Sequence, residues 1–205
     1  MTKPSRIILL NEKGGVGKSY TTKLHALKAE KEQIVTYFID CDNASASLTK
    51  FFQGIEKRKS EYLFYKSEDL LGPDRKIDRT KFDTFLDTLS KLQNVCCDFG
   101  AASSEQICYY LQEESENGIL DIFEDLNIRL HVIIAGGGMI KESIDFFLKL
   151  KKVKGIEKFI TIVANEREGG VNGKTVSEYT EADIKIPPFH KDPNSAAFLE
   201  WKDMM

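Results

Sequence analysis

A continuously apolar run, Arg6-Ile-Ile-Leu-Leu-Asn11, breaks into the glycine-rich turn Lys13-Gly-Gly-Val-Gly-Lys-Ser19, after which Leu24 and Leu27 recur at helical spacing through about Lys31. Strand, glycine turn and helix in that order predict a βα junction. A second apolar run, Ile34 to Ile39, ends at Asp40. The two strands and the helix between them read as a right-handed βαβ unit with the glycine turn at the carboxyl end of the first strand. Glycines let backbone N–H groups wrap an anion, and the N-terminus of the following helix favours negative charge. In Gly17-Lys18-Ser19 the lysine is expected to reach β- and γ-phosphates and Ser19 to ligate Mg²⁺, with Gly14, Gly15, Val16 and Tyr20 completing the cofactor-binding loop. Where the usual pattern opens with glycine this chain has Glu12, followed by a second lysine, Lys13. No G-x-G-x-x-G fits the loop, which disfavours a dinucleotide site.

The alternation of strand and helix continues. Tyr62 to Tyr65 reads as a short strand, Gly72-Pro73-Asp74 as a turn, and Ile77 to Leu92 as a helix with Phe82, Phe85, Leu86, Leu89 and Leu92 on one face. Val95 to Cys97 predicts a buried strand ending at Asp98, and Ser103-Ser104-Glu105-Gln106 reads as the cap of a helix running to about Glu113. A strand over Leu130 to Ala135 leads into Gly136-Gly-Gly138 and a helix to about Val153. Phe159 to Ala164 and a short segment ending at Ile186-Pro187 read as strands, and about Asn194 to Lys202 as a closing helix. The expected architecture is α/β: one domain over residues 1–205 with a mostly parallel sheet flanked by helices on both faces, residues 44–93 being the least determined part. Such a sheet gathers Lys13 to Ser19, Asp40, Asp42, Asp98, Gly136 to Gly138 and Asn165 at one edge.

The length of 205 residues suits one well-buried core, and a net charge of −3 leaves the domain as a whole no attraction for nucleic acid or anionic lipid. Charges interrupt every apolar run well short of the roughly 20 residues of a membrane span, so the expectation is a cytoplasmic protein. The four cysteines, Cys41, Cys96, Cys97 and Cys108, form no CxxC pattern and read as reduced core residues.

Asn11-Glu-Lys-Gly-Gly-Val-Gly-Lys-Ser19 closely resembles the deviant Walker A motif of the ParA/MinD family of P-loop ATPases, whose hallmark is an extra lysine opening the loop. The resemblance extends to Asp40-Cys41-Asp42, at the place of the family's switch I D-x-D element, and to Asp98 at the Walker B position. It implies ATP and Mg²⁺ as cofactors. Lys13, Lys18 and Asp42 would be catalytic: Asp42 positions the attacking water, and Lys13 reaches the nucleotide of a second subunit in an ATP-dependent homodimer. Ser19, Asp40 and Asp98 would surround the metal. Asn165 resembles the asparagine that contacts adenine, and Ile186-Pro187 the step lying against the base. The chain departs from the family at Tyr20, where a threonine is usual, at Asn43-Ala44 after the second aspartate, and at Phe99 to Ala102 after Asp98. Ile77 to Ala102 with Val132 to Gly138 resembles a narrower ParA-like branch encoded on conjugative plasmids, serving transfer or stability.

The implied function is a switch in which ATP-dependent sandwich dimerisation and Mg²⁺-dependent hydrolysis position DNA or a protein cargo, with a partner protein that stimulates hydrolysis or recruits that cargo. Nonspecific DNA would find phosphate partners at Lys149, Lys151, Lys152, Lys154 and Lys158. Membrane binding is disfavoured, because Ala196 to Met205 carries Phe198, Leu199 and Trp201 but only Lys202 as a basic residue. The alternatives are a P-loop kinase or ligase acting on a small molecule, which generally lacks an equivalent of Lys13, and a nucleotide-bound scaffold that scarcely hydrolyses.

Overall fold

The computed structural model describes residues 4–42, 47–56, 60–166, 169 and 174–186. From the N-terminus these form β1 (Ser5–Leu10), α1 (Lys18–Glu32), β2 (Thr36–Cys41), α2 (Ser47–Glu56), β3 (Leu63–Ser67), α3 (Arg79–Lys91) and β4 (Asn94–Phe99). There follow α4 (Ala101–Glu114), α5 (Ile119–Asp125), β5 (Ile128–Ala135), α6 (Ile140–Leu150), β6 (Ile160–Asn165), α7 (Val176–Thr180) and β7 (Ile184–Ile186). The seven strands make one sheet in the order β3-β2-β4-β1-β5-β6-β7, every pair parallel. Each parallel step needs a crossover, and at β1 the order reverses: β4, β2 and β3 lie on one side, β5, β6 and β7 on the other. Ligands of such sheets bind outside the carboxyl ends of the strands at that reversal.

Both faces are covered, and the strand sequences record it. Ile8 and Leu10 of β1 join the cluster under α3, α4, α5 and α6, with Phe82, Phe85, Ile107, Leu111, Phe123 and Phe146. Leu9, between them, points to the opposite cluster with Leu24 of α1 and Leu48, Phe52 and Ile55 of α2. Period-two alternation therefore puts apolar residues on both sides, producing the continuous runs seen in the sequence. Arg6 is buried at the foot of β1, where its guanidinium donates to the carbonyls of Leu89 (2.6 Å) and Leu92 (2.7 Å) and so satisfies the end of α3.

The parallel α/β expectation holds, with differences in detail. Ser103 and Ser104 do not open α4; the helix starts at Ala101 with Gly100 as its cap. Their hydroxyls instead donate to Cys41 C=O (2.8 Å) and Phe99 C=O (3.2 Å), tying the first turn of α4 to the ends of β2 and β4. α2 and α5 are helices beyond those expected from the sequence. All four cysteines are free and buried. Among the described residues no helix is long and apolar enough to cross a membrane. Pro187, Asn43, Ala44 and the closing segment with Phe198, Leu199, Trp201 and Lys202 lie outside the described residues.

Candidate functional site

The loop between β1 and α1 turns on two glycines in left-handed conformations, Gly15 (φ 82°) and Gly17 (φ 106°), and Gly17 caps α1. A Cβ on Gly17 would stand 2.5 Å from Asn165 Nδ2, so only glycine leaves room for that amide, which donates to Val16 C=O at 2.8 Å. Asn165, expected from the resemblance to face a base, is 2% exposed and holds the loop backbone to the end of β6. Asn11 does the same from β1. Its side-chain amide donates to Ile133 C=O (2.8 Å), its Oδ1 accepts from Lys13 N–H (2.8 Å), and its backbone N–H donates to the Ser104 hydroxyl (3.2 Å). In the sequence Asn11 stands out only by its position ahead of the first lysine of the motif.

Lys18 is folded back into the loop, its Nζ donating to Asn11 C=O (2.7 Å) and Lys13 C=O (3.2 Å). Burial lowers its pKa, while Asp98 and Asp42 hold it up. Backbone carbonyls thus occupy the ammonium until a stronger acceptor competes, which a phosphate would.

Three aspartates from adjacent strand ends converge beside this lysine. Asp40 is buried but satisfied: its Oδ1 accepts from Asp42 N–H (3.0 Å) and its Oδ2 from the Tyr65 hydroxyl (3.1 Å), itself paired with Thr49 (2.9 Å). Burial still raises its pKa, against those two hydrogen bonds. Asp42 lies over Gly100, where a Cβ would come within 2.5 Å of its Oδ1. The glycine after Asp98-Phe99 therefore clears space for the Asp42 carboxylate, a requirement no local pattern announced.

Asp98 differs from both. It is 1% exposed, and neither carboxylate oxygen has a hydrogen-bond partner among the described residues. Burial pushes its pKa up to about 7, opposed by the nearby Ser19 hydroxyl and by Lys18. Ser19 stands close enough to stabilise the anion but makes no hydrogen bond of acceptable geometry to it. Two orphaned, buried oxygens are what a cation or its bound water would satisfy. Among the described residues no group of three or more His, Cys, Asp or Glu stands ready to hold a metal, so a cation at Ser19 and Asp98 would take its remaining oxygens from phosphate and water, as Mg²⁺ does.

A cavity of about 770 Å³ opens over these residues, lined by Gly14, Gly15, Gly17, Lys18, Ser19 and Tyr20 of the loop together with Asp42 and Gly100 to Ser103. Two walls were not foreseen, Leu71 and Arg75 from the segment between β3 and α3. Lys13 is half-exposed at the rim, 3.8 Å from Glu142 of α6. The expected lysine cluster is in part engaged internally. Lys149 pairs with Glu12 (2.8 Å), approaches Glu105 (3.9 Å) and lies over the Tyr109 ring, and Lys158 pairs with Glu124.

The same fold recurs in solved structures. A plasmid partition protein from Borrelia burgdorferi B31 bound to AMPPNP superposes with a TM-score of 0.62 at 18% identity, covering 99% of this chain and 97% of that one. The chain has the ParA/MinD fold. The MinC:MinD cell division complex of Aquifex aeolicus matches at TM-score 0.53 and 13% identity, covering 98% of this chain and 85% of that one. FlhF complexed with GTP and Mg²⁺ matches at 0.54 and 13%, covering 95% and 69%. No protein-family model and no curated protein matches the sequence. In this chain the glycine loop follows β1, where the strand order reverses, and the cavity lies there.

Proposed function

We propose that the chain is an ATP-binding, Mg²⁺-dependent ATPase whose ATP-bound form is a homodimer, acting as a switch that positions DNA or a protein cargo. The observation that carries this reading is the buried Asp98 with both oxygens unpartnered beside Ser19 and Lys18, at the mouth of a loop shaped to wrap an anion. Lys18 leaves its two carbonyls for the β- and γ-phosphates, and the N–H groups at the start of α1 receive the phosphate oxygens. When bound, Mg²⁺ neutralises phosphate charge. Ser19 and Asp98 would hold it, Asp40 would stand behind through its grip on the Asp42 backbone, and Asp42 would orient the attacking water. The exposure of Lys13 at the rim supports a reach into a second subunit, once it releases Glu142. Asn165 and Pro187 would border the base.

With Lys149 and Lys158 in internal ion pairs, DNA contact would fall to Lys151, Lys152 and Lys154. A partner protein would supply specificity and stimulate turnover, and the plasmid partition or transfer role fits the Borrelia likeness. Size-exclusion chromatography with light scattering, run with ATP, ADP and duplex DNA, tests the scheme. Asp42→Ala is expected to be trapped as an ATP dimer, and Lys18→Ala to lose nucleotide. Lys13→Ala should bind ATP yet stay monomeric and inactive. A chain monomeric under every nucleotide condition refutes the dimer, and normal hydrolysis by Lys13→Ala refutes its role in trans.

A further inference from the structure

The connection from β3 to α3 is a closed hairpin. Leu71 and Ile77 form an antiparallel bridge, Gly72 N–H donates to Lys76 C=O (2.8 Å) and Arg75 N–H to Gly72 C=O (2.9 Å). Its base is fixed by Asp78, whose N–H donates to Leu70 C=O (2.9 Å) while its carboxylate caps α3 through Lys81 N–H (3.1 Å). At the tip Arg75 holds φ 63°, a left-handed conformation few residues other than glycine adopt. The hairpin imposes that conformation, so the backbone sets the direction in which the side chain leaves.

That direction brings Arg75 to the cavity shared by Lys18, Ser19, Asp42 and Gly100. Sheet order says which part of the cavity it meets. Asp42 and Gly100 end β2 and β4, on one side of β1, whereas Asn165 ends β6 on the other. Arg75 therefore stands over the side carrying the carboxylates and away from Asn165. Lys13 and Lys149 are both in ion pairs, but among the described residues the Arg75 guanidinium has no hydrogen-bond or ion-pair partner.

We propose that Arg75 contacts the terminal phosphate of a bound nucleoside triphosphate, a guanidinium supplied by the same chain that lets the site distinguish triphosphate from diphosphate. This rests on the nucleotide reading above. A guanidinium fork offers paired donors to two phosphate oxygens, which an ammonium cannot do. In hydrolysis water bonds to the γ-phosphorus, the bond to the β–γ bridging oxygen breaks with its electron pair staying on the nucleoside diphosphate, and inorganic phosphate leaves carrying the water's oxygen while the water's proton passes to solvent. Arg75 neutralises charge on the γ-oxygens and accepts no proton.

Calorimetric titration with ATP and with ADP, each with Mg²⁺, on the wild type and on Arg75→Ala, Arg75→Gly, Arg75→Lys and Lys18→Ala tests this, alongside thermal melting and hydrolysis rates. Arg75→Ala and Arg75→Gly are expected to weaken ATP about tenfold or more while ADP stays within about twofold, and to slow hydrolysis about a hundredfold or more. Arg75→Lys should recover part of the ATP affinity. Glycine is at ease at positive φ, so Arg75→Gly should melt no lower than the wild type, separating lost contact from lost fold. Unchanged ATP affinity and turnover in the Ala and Gly variants, or equal weakening of ATP and ADP, overturns the role of Arg75 while loss of both nucleotides in Lys18→Ala leaves the nucleotide reading standing. A wild type that binds neither nucleotide overturns both.

Discussion

Replacing Gly17 with alanine should damage the loop in two ways. The backbone at φ 106° becomes strained, at about 1–2 kcal/mol for a residue with a Cβ. The new methyl group also lands 2.5 Å from Asn165 Nδ2, inside any tolerable contact. Asn165 is buried, so the amide must abandon Val16 C=O, 2.8 Å away on a buried residue, and an unmade buried hydrogen bond costs about 1–3 kcal/mol. Gly17→Ala is thus expected to destabilise by about 2–5 kcal/mol, and Asn165→Ala alone by about 1–3 kcal/mol. In the double variant alanine at 165 removes the atom the methyl group strikes, and the hydrogen bond is lost once instead of twice. The double variant should therefore be about 1–3 kcal/mol more stable than the sum of the singles requires. Urea unfolding of all four proteins, with m held constant, measures this coupling. Additivity within about 0.5 kcal/mol would refute the contact, and a Gly17→Ala protein as stable as the wild type would refute the strain.

His25 of α1 and His131 of β5 lie with ring centroids 6.1 Å apart, and Nε2 of the first and Nδ1 of the second are buried without a hydrogen-bond partner among the described residues. Burial pushes His25 down to about 3, with His131 and Lys28 adding to the shift, and His131 down to about 4. The unfolded chain takes up protons near 6.5 and the folded chain does not, so this stability is whole above pH 6.5 and is lost as pH falls through 6.5 towards 4 and 3. At pH 5 the loss should be about 2 kcal/mol per histidine, opposed by the raised carboxyl of Asp98, so the wild type should lose about 2 kcal/mol more than His131→Phe between pH 7 and 5 in urea unfolding; identical pH profiles of the two proteins would refute the neutral pair. Within the glycine run after β5, a Cβ on Gly136 would meet the Gly169 carbonyl oxygen at 1.8 Å, whereas one on Gly138 meets nothing within 4 Å. Gly136→Ala should cost about 3 kcal/mol and Gly138→Ala less than about 1, read as melting temperatures; equal shifts would refute the close approach.

The strands and most helices were legible because burial on both sheet faces makes apolar runs continuous and amphipathic helices periodic, as in β1 and α3. The missed cap at Ser103-Ser104 shows the limit of that signal. Serines before an acidic residue look like a helix start, yet here they sit inside the first turn because their hydroxyls serve the ends of β2 and β4. α2 carried a signal that went unread, since Leu48, Phe51, Phe52 and Ile55 fall at helical spacing after residues of capping type, Asn43, Ser45 and Ser47. Arg75 escaped because a glycine-proline turn reads as a connector, and only the paired Leu71 and Ile77 turn it into a hairpin reaching the cavity.

The sequence by itself determined what depends on near neighbours along the chain. Nine residues from Asn11 to Ser19 specify a loop that wraps an anion, and the strand-terminal positions of Asp40, Asp42 and Asp98 follow from where apolar runs stop. Tertiary structure alone decided which of these groups is satisfied. Asp40 is held by Tyr65, Asp98 is left with two bare oxygens, Asn165 is spent on Val16, and Lys149 is drawn off to Glu12. The partners in these pairs stand 25, 149 and 137 residues apart in the chain, and a strand order that doubles back at β1 brings them together. Local pattern carries backbone preference, but the pairing of buried polar groups is settled by the crossovers, since burial is what makes an unpaired group costly.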